Sequence, residues 1–229
     1  MSGSTLKIIA LITMTIDHIG YWIFPSVIEL RIIGRLSYPI FAYMIAEGCY
    51  YTRDKIRYLM TVFGIGLLCS IVEYITQRSL YQSIFITFSI SIVLIIQLDF
   101  IKRAVYCKNR LRMAIALMGF LLTIFIVYFL CNISNYYPKS GFEIDFGFFG
   151  ILTPVLVWAV KDKKIKLLFL AIGLILLSYT RGGIQLYSFL SLIPLMYYNG
   201  ERGRHKLKYM FYLYYPLHLV ILSGIASII

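Results

Sequence analysis

Hydrophobic positions along this chain fall in long unbroken runs, not in the one-sided stripes of a soluble helix. The runs cover about 6–24, 30–50, 57–76, 81–100, 112–131, 147–160, 165–180, 184–198 and 209–229, and lengths near 20 residues match a bilayer's hydrocarbon core. The pattern predicts an all-α, polytopic membrane bundle of about nine transmembrane helices, with eight to ten as the range. The sixth to eighth runs are short, which leaves tilted, broken or re-entrant helices open there. No repeat, low-complexity tract or soluble stretch interrupts the series, so residues 1–229 read as one transmembrane domain.

The polar positions between runs alternate in character. Arg53, Lys55 and Arg57 follow the second run, and Lys102, Arg103, Lys108, Arg110 and Arg112 the fourth. Lys161, Lys163, Lys164 and Lys166 follow the sixth, and Arg202, Arg204, Lys206 and Lys208 the eighth. The intervening connections hold only isolated Arg78, Lys139 and Arg181. Basic loops stay in the cytoplasm, which predicts a cytoplasmic N-terminus and a C-terminus outside. The longest outer connection, 132–146, contains Tyr136, Tyr137, Pro138, Lys139, Glu143 and Asp145. A connection of that length is suited to capping the outer face or contacting a substrate.

Composition sharpens this picture in two places. The chain is 60% hydrophobic and 14% charged, well below the roughly 25% charged of a soluble domain. Its net charge of +12 would suit a nucleic-acid binder, but the charge sits in short loops, so no nucleic-acid partner is expected and membrane lipids are the surroundings. Cys49, Cys69, Cys107 and Cys131 show no ligand spacing and read as free thiols. The first run carries Asp17 and His18 and lacks a small-residue cleavage pattern, so it is expected to be retained.

Candidate chemistry lies where polar groups interrupt the runs. A charge inside a spanning helix costs several kcal/mol, about 2.5–3.5 on insertion scales, and therefore faces a partner, a cavity or a substrate. Met14-Thr15-Ile16-Asp17-His18-Ile19-Gly20 places an acid and an imidazole in the first run, and Gly34-Arg35-Leu36-Ser37-Tyr38-Pro39 a guanidinium in the second. The helices should be antiparallel neighbours, with His18 about 9 Å and Arg35 roughly 8 Å from the outer end. Asp17 and His18 point about 100° apart, so Asp17 is expected to pair with Arg35 and leave His18 for the cavity. Two readings stand: a bridge between helices with His18 a bystander, or a buried imidazole acting as a base.

Glu47 and Glu73 lie nearer span ends, where snorkelling to the interface and a supporting place in the site are both open. His218 sits mid-span beside Pro216, which frees a carbonyl and kinks the helix. Asp17, His18, Glu73 and His218 lack the HxxxH or HExxH spacing of a metal site, and no metal is expected. The loop Asn199-Gly200-Glu201-Arg202-Gly203-Arg204-His205-Lys206 can be an ordinary basic loop or one that wraps an anion.

These motifs resemble the TraX family of membrane proteins, named for the pilin-acetylating protein of conjugative plasmids. The pieces carrying the resemblance are 14–20, 34–41, Ala46-Glu47-Gly48, Thr52-Arg53, Tyr58, 198–203 and Phe211-Tyr212-Leu213-Tyr214-Tyr215-Pro216-Leu217-His218. The resemblance runs the full length, although 80–166 matches only in hydropathy and at Asp145-Phe146-Gly147. It implies an integral acetyltransferase of the bacterial cytoplasmic membrane, distantly like larger multispanning acyltransferases, with acetyl-CoA as donor. Under it His18 is the base or acyl relay, Asp17 and Arg35 order the site and stabilise charge, and His218 is a supporting or proton-relay residue. Asn199, Gly200, Arg202, Arg204 and Lys206 would hold the CoA phosphates, with Glu47 and Glu73 in support. The acceptor, an amine or hydroxyl of a peptide, glycan or lipid, is left open. The rival is a transporter or permease using Asp17, Arg35 and His218 as a proton or substrate pathway, which inverted repeats would favour. An intramembrane hydrolase and an accessory role in secretion rank below both.

Overall fold

The computed structural model describes residues 1–137, 141–203 and 208–226, with the side chains of 208–212 outside the description. It is an all-α bundle in which α4 (Lys55–Gln77), α5 (Ile84–Tyr106) and α6 (Arg110–Cys131) are long and apolar enough to cross a membrane. The chain is thus a multi-pass membrane protein. The first 51 residues form α1 (Gly3–Trp22), α2 (Ile28–Gly34) and α3 (Ser37–Tyr51). After α6 come the short α7 (Ile133–Tyr136), α8 (Gly147–Ala159) and α9 (Lys163–Arg181). A 3₁₀ helix (Gly183–Ser191) then runs into α10 (Leu192–Met196), and α11 (Lys208–Ala226) closes the chain. Two-residue strands β1 (Tyr81–Gln82) and β2 (Glu143–Ile144) pair in parallel, tying the 132–146 connection to the start of α5.

The expected second span, 30–50, is broken between α2 and α3. Pro39 has no N–H to give the carbonyl four residues back, that of Arg35, and its ring crowds that position, so the helix restarts at Ser37. Ser37 Oγ donates to the Gly34 carbonyl at 2.9 Å and satisfies the end of α2. The break sets Arg35 at a bend, with its side chain directed at α1. A second proline is compensated differently. Pro154 cannot bond the Gly150 carbonyl, and the buried Tyr38 phenol donates to it instead at 2.8 Å.

Helices α1 and α2 pack with little space between them. A Cβ at Gly20 would lie 2.7 Å from Leu30 Cβ, and one at Gly34 would lie 2.2 Å from Asp17 Oδ1. Glycine at 34 is what lets the Asp17 carboxylate fit against the end of α2. The α3 and α5 core behind them is aliphatic and aromatic, with Tyr38, Tyr43, Ile40, Ile92, Leu94 and Ile95 fully enclosed.

Candidate functional site

Asp17 is the centre of a three-residue ion cluster. Its Oδ1 accepts from Arg35 Nη2 at 2.5 Å and its Oδ2 from Arg31 Nη1 at 3.0 Å. Arg31 and Arg35 are four apart, so they leave the same side of α2 and its C-terminal bend. The expected Asp17–Arg35 contact forms, and Arg31 joins it. Arg35 is otherwise occupied, with Nε on the Arg31 carbonyl at 3.2 Å and Nη1 on Gln185 Oε1 at 3.3 Å. Arg31 also lies 5.0 Å from the Tyr21 ring centroid, a cation–π contact toward the open side.

His18 points instead toward α11, as the 100° helical step from Asp17 requires. It is not free: His18 Nδ1 lies 2.7 Å from His218 Nε2, and the rings stack with centroids 4.9 Å apart. His218 Nδ1 lies 3.1 Å from the Tyr214 carbonyl. A carbonyl only accepts, so the network assigns the proton to His218 Nδ1 and leaves its Nε2 with a lone pair. His18 Nδ1 must then donate, which puts a bare lone pair on His18 Nε2. The pair thus directs one basic nitrogen, through a chain of hydrogen bonds that starts at the α11 backbone.

Aromatic rings enclose the pair. Tyr214 stacks on His218 at 5.2 Å and 9°, Tyr215 meets both imidazoles edge-on, and Trp22 stacks beyond His18. Tyr214 and Tyr215 also line a cavity of about 560 Å³. Its other end reaches Lys7, Thr52, Gly200 and Arg202 at the end of the bundle where the 52–54 and 199–203 connections lie. Between the two ends the walls are largely apolar, including Met14, Met44, Val62, Phe85 and Phe88. From Lys7 to His18 is about 16 Å along α1.

The other sequence candidates are dispersed. Glu47 is 5% exposed and ion-paired to Lys166 of α9, so it neither snorkels nor joins the histidines, although it lines the cavity. Lys166, expected in a basic loop, is inside the bundle because Glu47 supplies the partner a buried ammonium requires. Glu73 is part-buried on α4, within electrostatic reach of Tyr215, and among the described residues no ion pair joins it to Asp17, His18 or Arg35. Arg204 and Lys206 lie outside the described residues. Asn199 and Gly200 belong to a segment whose backbone holds the start of α1: the Glu201 carbonyl accepts from Gly3 N–H at 2.8 Å and the Arg202 carbonyl from Ser4 N–H at 3.0 Å. The Asn199 N–H is taken by the Met1 carbonyl and the Glu201 N–H by Asn199 Oδ1. Those amides are therefore not turned to an anion, and the exposed Arg202 side chain remains at the cavity mouth.

Sequence reasoning misses two neighbours of the cluster. Arg31 lies at the edge of its apolar run, where a basic residue is ordinary, and its i,i+4 spacing to Arg35 is the available signal. Asp145 carries two weak signals, its place in the 132–146 connection and the Asp145-Phe146-Gly147 likeness, and neither points to the cluster. The β1–β2 pairing brings it to Tyr81, which hydrogen-bonds its carboxyl, and into electrostatic reach of Arg181 and Arg35. Burial pushes Asp145 up to about 6, against the lowering effect of that hydrogen bond and of the two guanidinium groups.

A sequence model described as TraX protein matches residues 2–226. The chain is also similar to the probable fimbrial assembly protein FimC, serogroup H1, of Dichelobacter nodosus. That match is 24% identical over 246 residues, covering 97% of this chain and 95% of that protein. An uncharacterized protein, RP591, of Rickettsia prowazekii (strain Madrid E) is 39% identical over 62 residues, 27% of this chain and 24% of that protein. No solved structure matches the chain.

Proposed function

The chain belongs to the TraX family, which makes it a membrane-bound, acyl-CoA-dependent acetyltransferase, and from that premise we propose how its residues divide the work. Acetyl-CoA enters from the cytoplasmic end, where Lys7 and Arg202 meet the nucleotide phosphates beside Gly200. Asn199 is the neighbouring residue, and Arg204 and Lys206, expected to share this role, lie outside the described residues. The pantetheine arm lies in the apolar part of the cavity with its thioester under Tyr214 and Tyr215. His18, expected in the cavity, lies behind Tyr214 and Tyr215 and is not part of its wall. In this reading the acceptor comes between them from the outer side, and His18 Nε2 takes its amine or hydroxyl proton as that atom attacks the thioester carbon. His218 orients His18 and keeps it in the basic tautomer. The Arg31–Asp17–Arg35 cluster locks α1 to α2 so that His18 is held still, and Glu47 and Glu73 support the walls.

One observation carries this reading: a basic-mouthed cavity of about 560 Å³ ends on two tyrosines that both contact the His18–His218 pair. It joins an entry for an anionic, amphipathic donor to a nitrogen base. We read the bundle as one domain, residues 1–229, of about nine spans with the N-terminus inside and the C-terminus outside. His18 and Arg35 then lie toward the outer face, where the acceptor arrives. The match to a protein named for fimbrial assembly, over nearly its whole length, supports an acceptor that ends outside the membrane.

Charge-assisted hydrogen bonds contribute about 1.5–3 kcal/mol each, so removing both mouth cations should weaken donor binding by roughly 10²–10⁴-fold if the two contributions add. Lys7→Ala combined with Arg202→Ala in purified protein is expected to raise the acetyl-CoA dissociation constant that much. Turnover at saturating donor should stay within about threefold of wild type. Wild-type protein that binds no acetyl-CoA, or a double variant that loses turnover at unchanged affinity, contradicts the assignment.

A further inference from the structure

Acyl transfer needs a second group besides the base. As the acceptor's nitrogen or oxygen bonds to the thioester carbon, the carbonyl π electrons move to oxygen, and that oxyanion requires a donor placed in advance. The guanidinium groups near His18 are poorly placed for this. Arg35 spends three donors on Asp17, Gln185 and the Arg31 carbonyl, and both guanidinium groups are paired to the Asp17 carboxylate, whose charge would repel an oxyanion. At the histidine end of the cavity, among the described residues, the hydroxyls in the wall belong to Tyr214 and Tyr215.

Resting on the donor-cavity reading above, we propose that Tyr214 is a catalytic residue whose phenol O–H hydrogen-bonds the thioester oxygen and stabilises the oxyanion, with Thr15 as its positioning residue. Tyr214 is the wall residue whose ring lies flat on His218, so a carbonyl held at its hydroxyl is beside the base pair. Its oxygen is 2.7 Å from Thr15 Oγ1, and Thr15 Oγ1 is 2.9 Å from the Leu11 carbonyl. Thr15 has one proton to give. When that proton goes to Leu11, the Tyr214 O–H is held on Thr15. When it turns to the Tyr214 oxygen, the phenol proton is released toward the cavity, and the accepted bond makes the phenol a stronger donor. Tyr215 is the weaker choice, because Asp145 and Glu73 lie within its electrostatic reach and would repel an oxyanion.

The step balances without another reactant. The C–N or C–O bond forms, the oxyanion collapses to restore C=O, the C–S bond breaks, and the proton on His18 Nε2 goes to the departing CoA thiolate.

The test uses full-length protein in detergent with acetyl-CoA and hydroxylamine as a small surrogate nucleophile, reading CoA release. Tyr214→Phe is expected to lower kcat by about 10²–10³-fold, the usual effect of one oxyanion donor, with the acetyl-CoA dissociation constant within twofold of wild type. Thr15→Val should lower kcat by a smaller factor and add nothing to Tyr214→Phe in the double variant. Placing 3,5-difluorotyrosine at 214 should move the alkaline limb of the pH–rate profile to lower pH, which a packing role would not do. Folded Tyr214→Phe protein with kcat within threefold of wild type, an additive double variant, or an unmoved alkaline limb overturns the proposal. Wild-type protein that neither binds acetyl-CoA nor releases CoA would instead overturn the donor-cavity reading itself.

Discussion

Asp17→Asn is expected to destabilise the protein by about 3–5 kcal/mol, the cost of removing one partner from a buried ion pair. The carboxylate is 14% exposed and satisfies two guanidinium groups, at 2.5 Å and 3.0 Å. An amide would leave Arg31 and Arg35 facing each other across a neutral acceptor in a helix contact that Gly20 and Gly34 bring close. Glycine at 34 removes any slack, since the Asp17 side chain already fills the place a Cβ would take. The measurement is urea-dependent loss of structure in mild detergent, and activity should fall with the folded fraction. Unchanged stability would mean that the cluster is solvated and does not join α1 to α2.

The second large effect is chemical. His18→Gln keeps a hydrogen-bonding side chain of similar length but no base, and is expected to lower acetyl transfer by roughly 10²–10⁴-fold, the range for loss of a general base. Donor affinity should stay near wild type, because His18 lies behind the tyrosines that line the cavity. Steady-state CoA release measured beside equilibrium donor binding separates the two quantities. Turnover within fivefold of wild type would remove His18 from the chemistry.

Several features of this site can be read from the chain, for one reason: an ionised group in an apolar run is costly, so Asp17, His18 and Arg35 stand out by hydropathy alone. The Asp17–Arg35 contact follows from helical geometry and a short connection. The bend at Arg35 is written in Pro39, but hydropathy hides it because the run continues through the break. The His18–His218 contact joins residues 200 apart, and no local pattern encodes such a meeting. At 199–203 composition shows the cations but not the backbone contacts. Glycines among cations suggest an anion loop; the Asn199 amide and the Glu201 and Arg202 carbonyls are instead bonded to the first residues of the chain. The burial of Lys166 is equally hidden from the chain, since its partner Glu47 lies 119 residues earlier.

In the proposed arrangement acetyl-CoA is consumed from the end of the bundle that carries Lys7 and Arg202, for transfer toward the opposite side. The most direct test places oriented protein in sealed vesicles with acetyl-CoA on one side only and hydroxylamine on both. CoA should appear when acetyl-CoA faces the 199–203 connection, and Lys7→Ala with Arg202→Ala should raise the donor concentration required. CoA release only when acetyl-CoA faces the 132–146 connection would place the donor entry at the opposite end and rule this arrangement out.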